Sequence, residues 1–156
     1  MAKTKRTGVY AKDRKTVALN VVYTRYLRRS ATIGVVFDLT RRAFHALTQS
    51  NCHYCGCPPA MRAVRRYKKT VAASHTYNGL DRIDNTKGYT CANTVACCWA
   101  CNSAKGFMSA PEFYGWLASV LRHRPEIASA TPAYPRFRHP RTQALERQKT
   151  NSPQSV

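Results

Sequence analysis

Acidic residues are scarce in this chain: its 156 residues include seven Asp and Glu against 26 Lys and Arg, a formal net charge of +19. So large an excess of cations favours a polyanionic partner, because clustered cations release counterions when they bind phosphates. A histone-like or ribosomal protein would fit this charge equally well. The charge therefore indicates a class of partner and no activity.

Long hydrophobic runs are also missing. No apolar stretch approaches the ~20 residues that a membrane-spanning helix needs, and the N-terminal MAKTKRTGVYAKDRK lacks the apolar region of a signal peptide. We therefore expect no membrane insertion and no secretion, and we place the chain in a reducing, intracellular compartment. There, seven cysteines indicate metal binding rather than disulfides, and their odd number leaves at least one unpaired in any disulfide scheme.

Composition divides the chain into a basic arm with an amphipathic helix, a central domain, and a basic proline-rich tail, at residues 1–33, 34–123 and 124–156. The helix is predicted from Asp13 to Ser30, where apolar residues recur at helical spacing. Its polar face carries Arg28 and Arg29, either as phosphate contacts or as solvated cations. The tail is predicted to be disordered, although its charge would still attract DNA.

Local signals in the central domain predict an α+β fold. We expect a strand at 34–37, a helix after Thr40, a strand–turn–strand unit over 74–95, a short helix after Cys101 ending near Gly106, and a further helix after a capping box that starts at Ser109. TKG at 86–88 is predicted to supply the turn, where Gly88 is able to take positive φ. The apolar stripe of the last helix is predicted to be core, with members Phe113, Trp116, Leu117, Val120 and Leu121.

A basic stretch precedes the strand–turn–strand unit. Residues 58–73 open with two prolines and are rich in Arg and Lys. We interpret this stretch as a loop or short helix lying against a phosphate backbone, with Arg65 and Arg66 as contacts, or as a plain solvated loop. These two arginines therefore join Arg28 and Arg29 as predicted nucleic-acid contacts.

Two C-x-x-C pairs are the strongest short motifs. Cys52-His-Tyr-Cys55 and Cys98-Trp-Ala-Cys101 are separated by 42 residues. Two tight turns that each offer two thiolates complete a tetrahedral site for structural Zn²⁺, and a small domain gains stability from such a cross-link. The bland alternative is a set of buried free cysteines, which is our interpretation for Cys91 and Cys97.

Between the pairs lie NGLDRIDNTKGYT and Asn93, and Asn102 follows the last cysteine. From Phe37 to Trp116, this ordered series resembles the HNH nucleases of the ββα-metal superfamily, in the zinc-stapled form common among phage and intron-encoded homing enzymes. The resemblance implies a ββα-metal core with a four-cysteine structural zinc site and flanking helices. It also implies an endonuclease that hydrolyses DNA phosphodiesters with a catalytic divalent cation.

The resemblance assigns roles by position. Asp81 matches the family's metal-binding acid, Asn102 the metal ligand on the helix, and Asn93 the residue that orients the general base. A carboxylate and an amide oxygen suit Mg²⁺ or Mn²⁺, which would stabilise charge at the scissile phosphate. Lys87 and Lys105 are predicted phosphate contacts, with solvated lysine as the alternative for each.

Arg82 departs from the family, because it stands where the general base is a histidine. Arginine stays protonated at physiological pH and cannot act as an ordinary base. Three interpretations stay open: Arg82 holds the scissile phosphate while another group activates water; it is native to a subgroup in which Asp84 is the base or a second acid; or it is an engineered substitution that blocks cleavage. The alternative role for Asp84 is to cap the turn.

The expected partner is double-stranded DNA, and the expected setting is a bacterial host cytoplasm during phage infection. A single site cuts one strand at a time, so double-strand cleavage would need a homodimer or two encounters. The main rival function is a non-catalytic, zinc-stapled nucleic-acid-binding protein. An RNA-binding or ribosome-associated protein fits the charge but leaves Asp81, Asn93 and Asn102 unexplained.

Overall fold

The computed structural model describes residues 14–67 and 70–129. Five helices and two small antiparallel sheets occur in these ranges, so the α+β class is confirmed. In chain order the elements are α1 Arg14–Thr32, α2 Arg41–Gln49, β1 Met61–Tyr67, β2 Thr70–Tyr77, β3 Gly79–Arg82, β4 Thr94–Cys97, α3 Trp99–Lys105, α4 Ala110–His123 and α5 Glu126–Ser129. The predicted basic arm, up to residue 13, and the part of the predicted tail from residue 130 lie outside the described residues. The start of this tail was wrongly predicted to be disordered, because Glu126–Ser129 forms α5.

The first two helices follow the sequence signals closely. α1 covers the predicted amphipathic helix, and it buries Ala18 and Val22 completely. α2 begins after Thr40 as predicted, because the Thr40 hydroxyl accepts a hydrogen bond from the Ala43 amide at 3.1 Å. Both helices pack into one aromatic core, in which the Tyr23 and Phe44 rings meet edge to face at 5.2 Å.

The basic stretch 58–73 was wrongly interpreted as a loop or short helix. It forms β1 and the start of β2, which pair as an antiparallel hairpin from Met61↔Tyr77 to Tyr67↔Thr70. Ala63 and Ala73 bury the inner face of this hairpin in the core shared with α1, whereas Arg62 and Arg65 are exposed. The strand alternation is hard to see in the sequence because its inward positions are small alanines.

Two further local predictions need correction. Residues 34–37 make a single parallel bridge, Phe37↔Tyr89, and no strand. Gly88 does not take positive φ, a conformation found at three other described glycines. Its place is nevertheless restricted to glycine by close packing, because an added Cβ would lie 2.3 Å from the Val36 carbonyl oxygen. A close approach of two backbones, rather than a turn conformation, explains this residue.

The predicted strand–turn–strand unit over 74–95 is divided between two sheets. Residues 74–77 belong to the first hairpin, whereas β3 pairs antiparallel with β4, placing Asp81 opposite Val95 and Arg82 opposite Thr94. Asn78 separates the sheets; it is fully buried and its side-chain amide donates to the carbonyls of Ser50 and Cys57. α3 follows β4 directly, so β3, β4 and α3 form a compact ββα unit.

The prediction that the α4 stripe is core holds only at its beginning. Ser109 and Glu112 form the expected capping box. Phe113 is 2 % exposed, but Trp116 and Leu121 are 47 % and 42 % exposed. The neighbouring elements among the described residues cover only about half of each of these two side chains. Among the described helices, none is long and apolar enough to cross a membrane.

Candidate functional site

Four cysteines from the two C-x-x-C turns converge at one end of the ββα unit. The sulfur atoms of Cys52, Cys55, Cys98 and Cys101 all lie within 4.8 Å of one another. The Cys55 and Cys98 sulfurs are 3.8 Å apart, which matches the edge of about 3.8 Å expected for a tetrahedron of four sulfurs around zinc with bonds of about 2.3 Å. Number, chemistry and spacing of these donors fit a tetrahedral metal ion such as zinc.

The thiols of this cluster cannot all ionise without a cation. Their sulfur atoms lie within 4.8 Å of one another, so that each thiolate would raise the free energy of ionising the next. A bound divalent ion would remove this conflict by stabilising all four thiolates. Cys57 lies beside the cluster, and burial raises the pKa of its thiol. Cys97 is buried as predicted, whereas Cys91 is exposed.

The two turns are joined to the ββα unit by its backbone. The amide of His53, inside the first turn, donates to the Ala96 carbonyl of β4 at 2.8 Å. Cys98 caps α3, because its sulfur accepts from the Cys101 amide. A metal held by the four cysteines would therefore fix the start of α3 against the β3–β4 sheet.

Asn93 holds the loop that connects β3 to β4. Its side-chain amide donates to the carbonyls of Asp84 and Gly88, at 3.0 and 2.9 Å. Its side-chain oxygen accepts from the Asp84 amide at 2.9 Å. Three hydrogen bonds from one buried side chain thus define the loop that follows Asp81 and Arg82, and none of these bonds reaches the Arg82 side chain.

Asp81 is buried at the centre of the unit and is already neutralised. Its two carboxylate oxygens lie 3.2 and 3.4 Å from the Lys105 ammonium, and the Tyr54 hydroxyl donates to one of them at 2.7 Å. Burial, and then the Asp81 carboxylate, raise the pKa of Tyr54, so this phenol stays protonated and remains a donor. Asp81 is 5 % exposed and Lys105 is completely buried.

Lys105 makes two further contacts, donating to the Arg82 carbonyl at 3.0 Å and to the Asn85 side-chain oxygen at 3.5 Å. The phosphate contact predicted for Lys105 does not fit this position, because a completely buried ammonium has no surface to offer a phosphate. The sequence contained a signal for this burial. Lys105 follows the metal-ligand candidate Cys101 by four residues, and residues four apart share one face of a helix.

A catalytic divalent cation at Asp81 has to fit this arrangement. Oxygen donors of the expected kind are present, since Asp81 lies on β3 and the exposed Asn102 lies on α3. However, the buried Lys105 ammonium already compensates the charge of the Asp81 carboxylate. A divalent cation bound there would lie close to this ammonium, and the two like charges would repel each other strongly in a site of low dielectric. In this conformation the site does not fit the predicted catalytic metal unless Lys105 moves.

Arg82 and Asp84 are both held by the loop. The Arg82 guanidinium donates to the Lys87 carbonyl at 2.9 Å and lies 5.3 Å from the centre of the Tyr89 ring. Asp84 accepts from the amide and the hydroxyl of Thr86 and pairs with Lys87 at 3.1 Å. The Thr86 hydroxyl contributes most to lowering the pKa of Asp84 to about 2. Asp84 is therefore a turn-capping carboxylate and a weak base.

The remaining predicted cations lie on several elements. Arg28 and Arg29 are exposed on α1, and Arg65 is exposed on β1. Lys87 is 70 % exposed despite its ion pair with Asp84. Arg66 lies at the bulge of β1, and its side chain is outside the described part. Tyr54 was not predicted to belong to the site. The only signal in the sequence was an aromatic residue between the two cysteines of the first turn, and that signal is weak.

Comparisons with known proteins give limited matches. No known family model matches the chain. An uncharacterized protein of Acanthamoeba polyphaga mimivirus is 36 % identical over 91 residues, which cover 58 % of this chain and 14 % of that protein. Among solved structures, the rare-cutting HNH restriction endonuclease PacI superposes with a TM-score of 0.48 at 20 % identity, over 80 % of this chain and 99 % of that one. The chain thus spans about a seventh of its curated relative and nearly all of this structural neighbour.

Proposed function

We propose that this chain acts on DNA as a zinc-stapled endonuclease of the HNH type. One observation carries the proposal: Asp81 on β3, Asn93 before β4 and Asn102 on α3 lie in one ββα unit, which the four-cysteine cluster closes at its end. This is the order of elements and residues that the resemblance to HNH nucleases implies. A phage or intron-encoded origin, with the host cytoplasm as its setting, belongs to the same proposal.

The charges of the described residues support a polyanionic substrate. Exposed arginines occur on α1 and β1, and seven acidic residues cannot neutralise the 26 basic ones. Cations on separate elements let one chain contact several phosphates of a DNA duplex, which positions the backbone without reading the sequence. The loop between β3 and β4 brings together Arg82, Asp84 and Lys87, and the proposal places a phosphate of the DNA beside this loop.

Arg82 is assigned to phosphate binding and not to proton transfer. Its guanidinium remains charged at any physiological pH, and its contacts with Lys87 and Tyr89 hold it near the loop surface. The low pKa of Asp84 argues against the interpretation in which Asp84 replaces the missing histidine as base. Of the two interpretations in which Arg82 is native, the first therefore has the better physical support.

Cleavage of a supercoiled plasmid tests the proposal. Wild-type protein, Arg82→His, Asp81→Asn and Asn102→Ala are compared with Mg²⁺, with Mn²⁺ and with no added divalent cation. Chelators are avoided because they would also remove a structural zinc ion. We expect nicking by the wild type or by Arg82→His, and its loss in Asp81→Asn and Asn102→Ala. Undiminished nicking by both of these variants would refute the assignment of the site.

A second candidate is a DNA-binding module that keeps the fold without the chemistry. The buried pair between Asp81 and Lys105 favours it, because this pair takes the place of an open metal site. It predicts tight, salt-dependent DNA binding with no cleavage by either the wild type or Arg82→His. Cleavage by Arg82→His alone would instead indicate a nuclease inactivated at one position.

A further inference from the structure

Phe107 is the most exposed large apolar residue among those whose side chains the structure describes. Its relative exposure is 101 %, compared with 67 % for Val36 and less than half for the others. The ring therefore contacts no part of the core. Packing within the described residues therefore does not explain a phenylalanine at this position.

The loop that presents Phe107 is nevertheless held firmly. The Asn85 side-chain amide donates to the carbonyl on each side of it, to Gly106 at 3.3 Å and to Met108 at 3.0 Å. The Met108 amide also donates to the Lys105 carbonyl at 3.0 Å. Gly106 ends α3 at φ +54, a conformation that side chains rarely adopt.

This anchoring ties Phe107 to the candidate site. Asn85 belongs to the loop that Asn93 holds, and its own oxygen accepts from the buried Lys105 ammonium. The same loop carries the exposed Lys87. A solvated aromatic ring on an anchored loop thus lies next to the loop that carries Lys87, whose side chain is 70 % exposed and pairs with Asp84.

The chemistry of the partner follows from these two properties together. A flat apolar ring without neighbours fits the face of another flat ring, and the net charge of +19 favours a phosphate-bearing molecule as partner. Nucleic acids offer both, because every base has a π-face and every nucleotide a phosphate. Proteins that distort DNA insert such side chains between base steps that unstack easily.

We propose that Phe107 stacks on a nucleobase of the bound DNA strand. The proposal rests on the DNA binding included in the proposed function, and it does not depend on cleavage. The ordering of the loop before binding reduces the entropy lost on binding, which favours insertion of the ring at an opened base step. Asn85 acts as a positioning residue for it.

The test measures DNA affinity with the full chain, loaded with zinc and without added Mg²⁺. The ligands are a short mixed-sequence duplex and its separated strands, at several salt concentrations. The variants are Phe107→Ala, Phe107→Leu and Phe107→Trp. Leu121→Ala is the matched control, since it trims a large exposed apolar side chain of α4.

We expect Phe107→Ala to weaken binding by about 5-fold or more, within the range known for loss of a stacked aromatic residue. The slope of log Kd against log salt should not change, because no phosphate contact is lost. Phe107→Trp should restore the affinity, and DNA should quench its emission beyond that of the two native tryptophans. Leu121→Ala should bind like the wild type.

Two outcomes would overturn the inference: wild-type affinity in Phe107→Ala, or wild-type affinity in Phe107→Leu, which lacks a π-face. If Phe107→Ala bound DNA like the wild type but changed its oligomeric state, the ring would be assigned to a protein contact. DNA binding without cleavage would refute the nuclease activity and leave this inference intact. A wild-type chain that binds no DNA would overturn both.

Discussion

Two clusters of potential metal ligands lie in this small ββα unit, and they differ in how their charge is balanced. The four cysteines present sulfurs within 4.8 Å of one another, and no Lys or Arg ammonium or guanidinium among the described residues is hydrogen-bonded to them. Asp81 has its own cation, the buried Lys105 ammonium at 3.2 Å. The first cluster offers four thiol ligands to a metal ion, and the second already contains its own counter-ion.

This difference separates two roles that the sequence motifs suggest, a structural metal site at the cysteines and a catalytic metal site at Asp81. A tetrahedral thiolate site cross-links two turns, and its energy contributes directly to folding. A carboxylate paired with a buried lysine is stable only while both partners remain. The four cysteines therefore offer a structural metal site at one end of the unit, whereas the site around Asp81 can acquire a divalent cation only by giving up the Lys105 ammonium.

Breaking the thiol cluster should have the largest effect. Cys98→Ser removes a metal ligand and the sulfur that caps α3, so we expect a loss of more than about 4 kcal/mol in the free energy of unfolding. Thermal unfolding and the zinc content of the purified protein measure it. Cys91→Ser is the control, because that exposed thiol is outside the cluster. Equal stability of the two variants would contradict a structural metal.

Replacing the buried Lys105 should have the second-largest effect on stability. Lys105→Met leaves a buried carboxylate uncompensated, so we expect a destabilisation of about 3–5 kcal/mol in urea unfolding. The double variant Asp81→Asn with Lys105→Met should recover part of this loss, because it removes the charge as well. If the double variant were as unstable as the single one, the ion pair would not explain the effect.

The same variant sharpens the comparison between the clusters. Without the ammonium, Asp81 should become available to a hard divalent cation, so Lys105→Met should bind Mn²⁺ more tightly than the wild type does. Electron paramagnetic resonance of free Mn²⁺ measures the binding in zinc-loaded protein. The double variant with Asp81→Asn should lose the added site, and Mn²⁺ binding that persisted there would place the ion elsewhere.

Tyr54→Phe should have a smaller effect, because it removes one hydrogen bond and keeps the ring. Its hydroxyl donates to the Asp81 carboxylate at 2.7 Å, and a hydrogen bond to a charged group contributes about 1.5–3 kcal/mol. We expect a loss of stability within that range and an unchanged zinc content. Loss of zinc from this variant would mean that the ring itself supports the metal turn.

The smallest expected effect concerns Asp84. Its pKa is lowered to about 2, so its contribution to stability is present above the ordinary carboxylate pKa and is lost as pH falls through about 2. Asp84→Asn should remove the part of the acid-induced loss that falls between about pH 4 and pH 2. Unfolding followed against pH in both proteins checks this, and identical curves would contradict the capping role.

Much of this architecture could be predicted from short-range signals. The capping residues Thr40 and Ser109 fixed the starts of two helices, and the C-x-x-C spacing identified the four cysteines that converge. Long-range packing could not be predicted in this way. The hairpin around Ala63 and Ala73 is defined by its burial against α1, and the exposure of Trp116 depends on how far the core extends along α4.

The site shows the same limit. The sequence places Asp81 and Lys105 far apart in the chain and gives each a separate role, one binding a metal and the other a phosphate. Only the folded arrangement shows that their charges meet. Asn93 likewise has its position predicted by the motif, while its three hydrogen bonds to the loop depend on how the turn closes.

Tyr54 connects the cysteine cluster to Asp81. It lies between the two cysteines of the first turn, and it sets the direction of the Asp81 carboxylate through one hydrogen bond. A related chain that replaced the metal turn with ordinary core residues would lose the Tyr54 hydrogen bond to Asp81, at a cost of about 1.5–3 kcal/mol, unless it kept a donor at this place. Substitutions at the cysteines and at Asp81 should accordingly be inherited together, although no metal joins them.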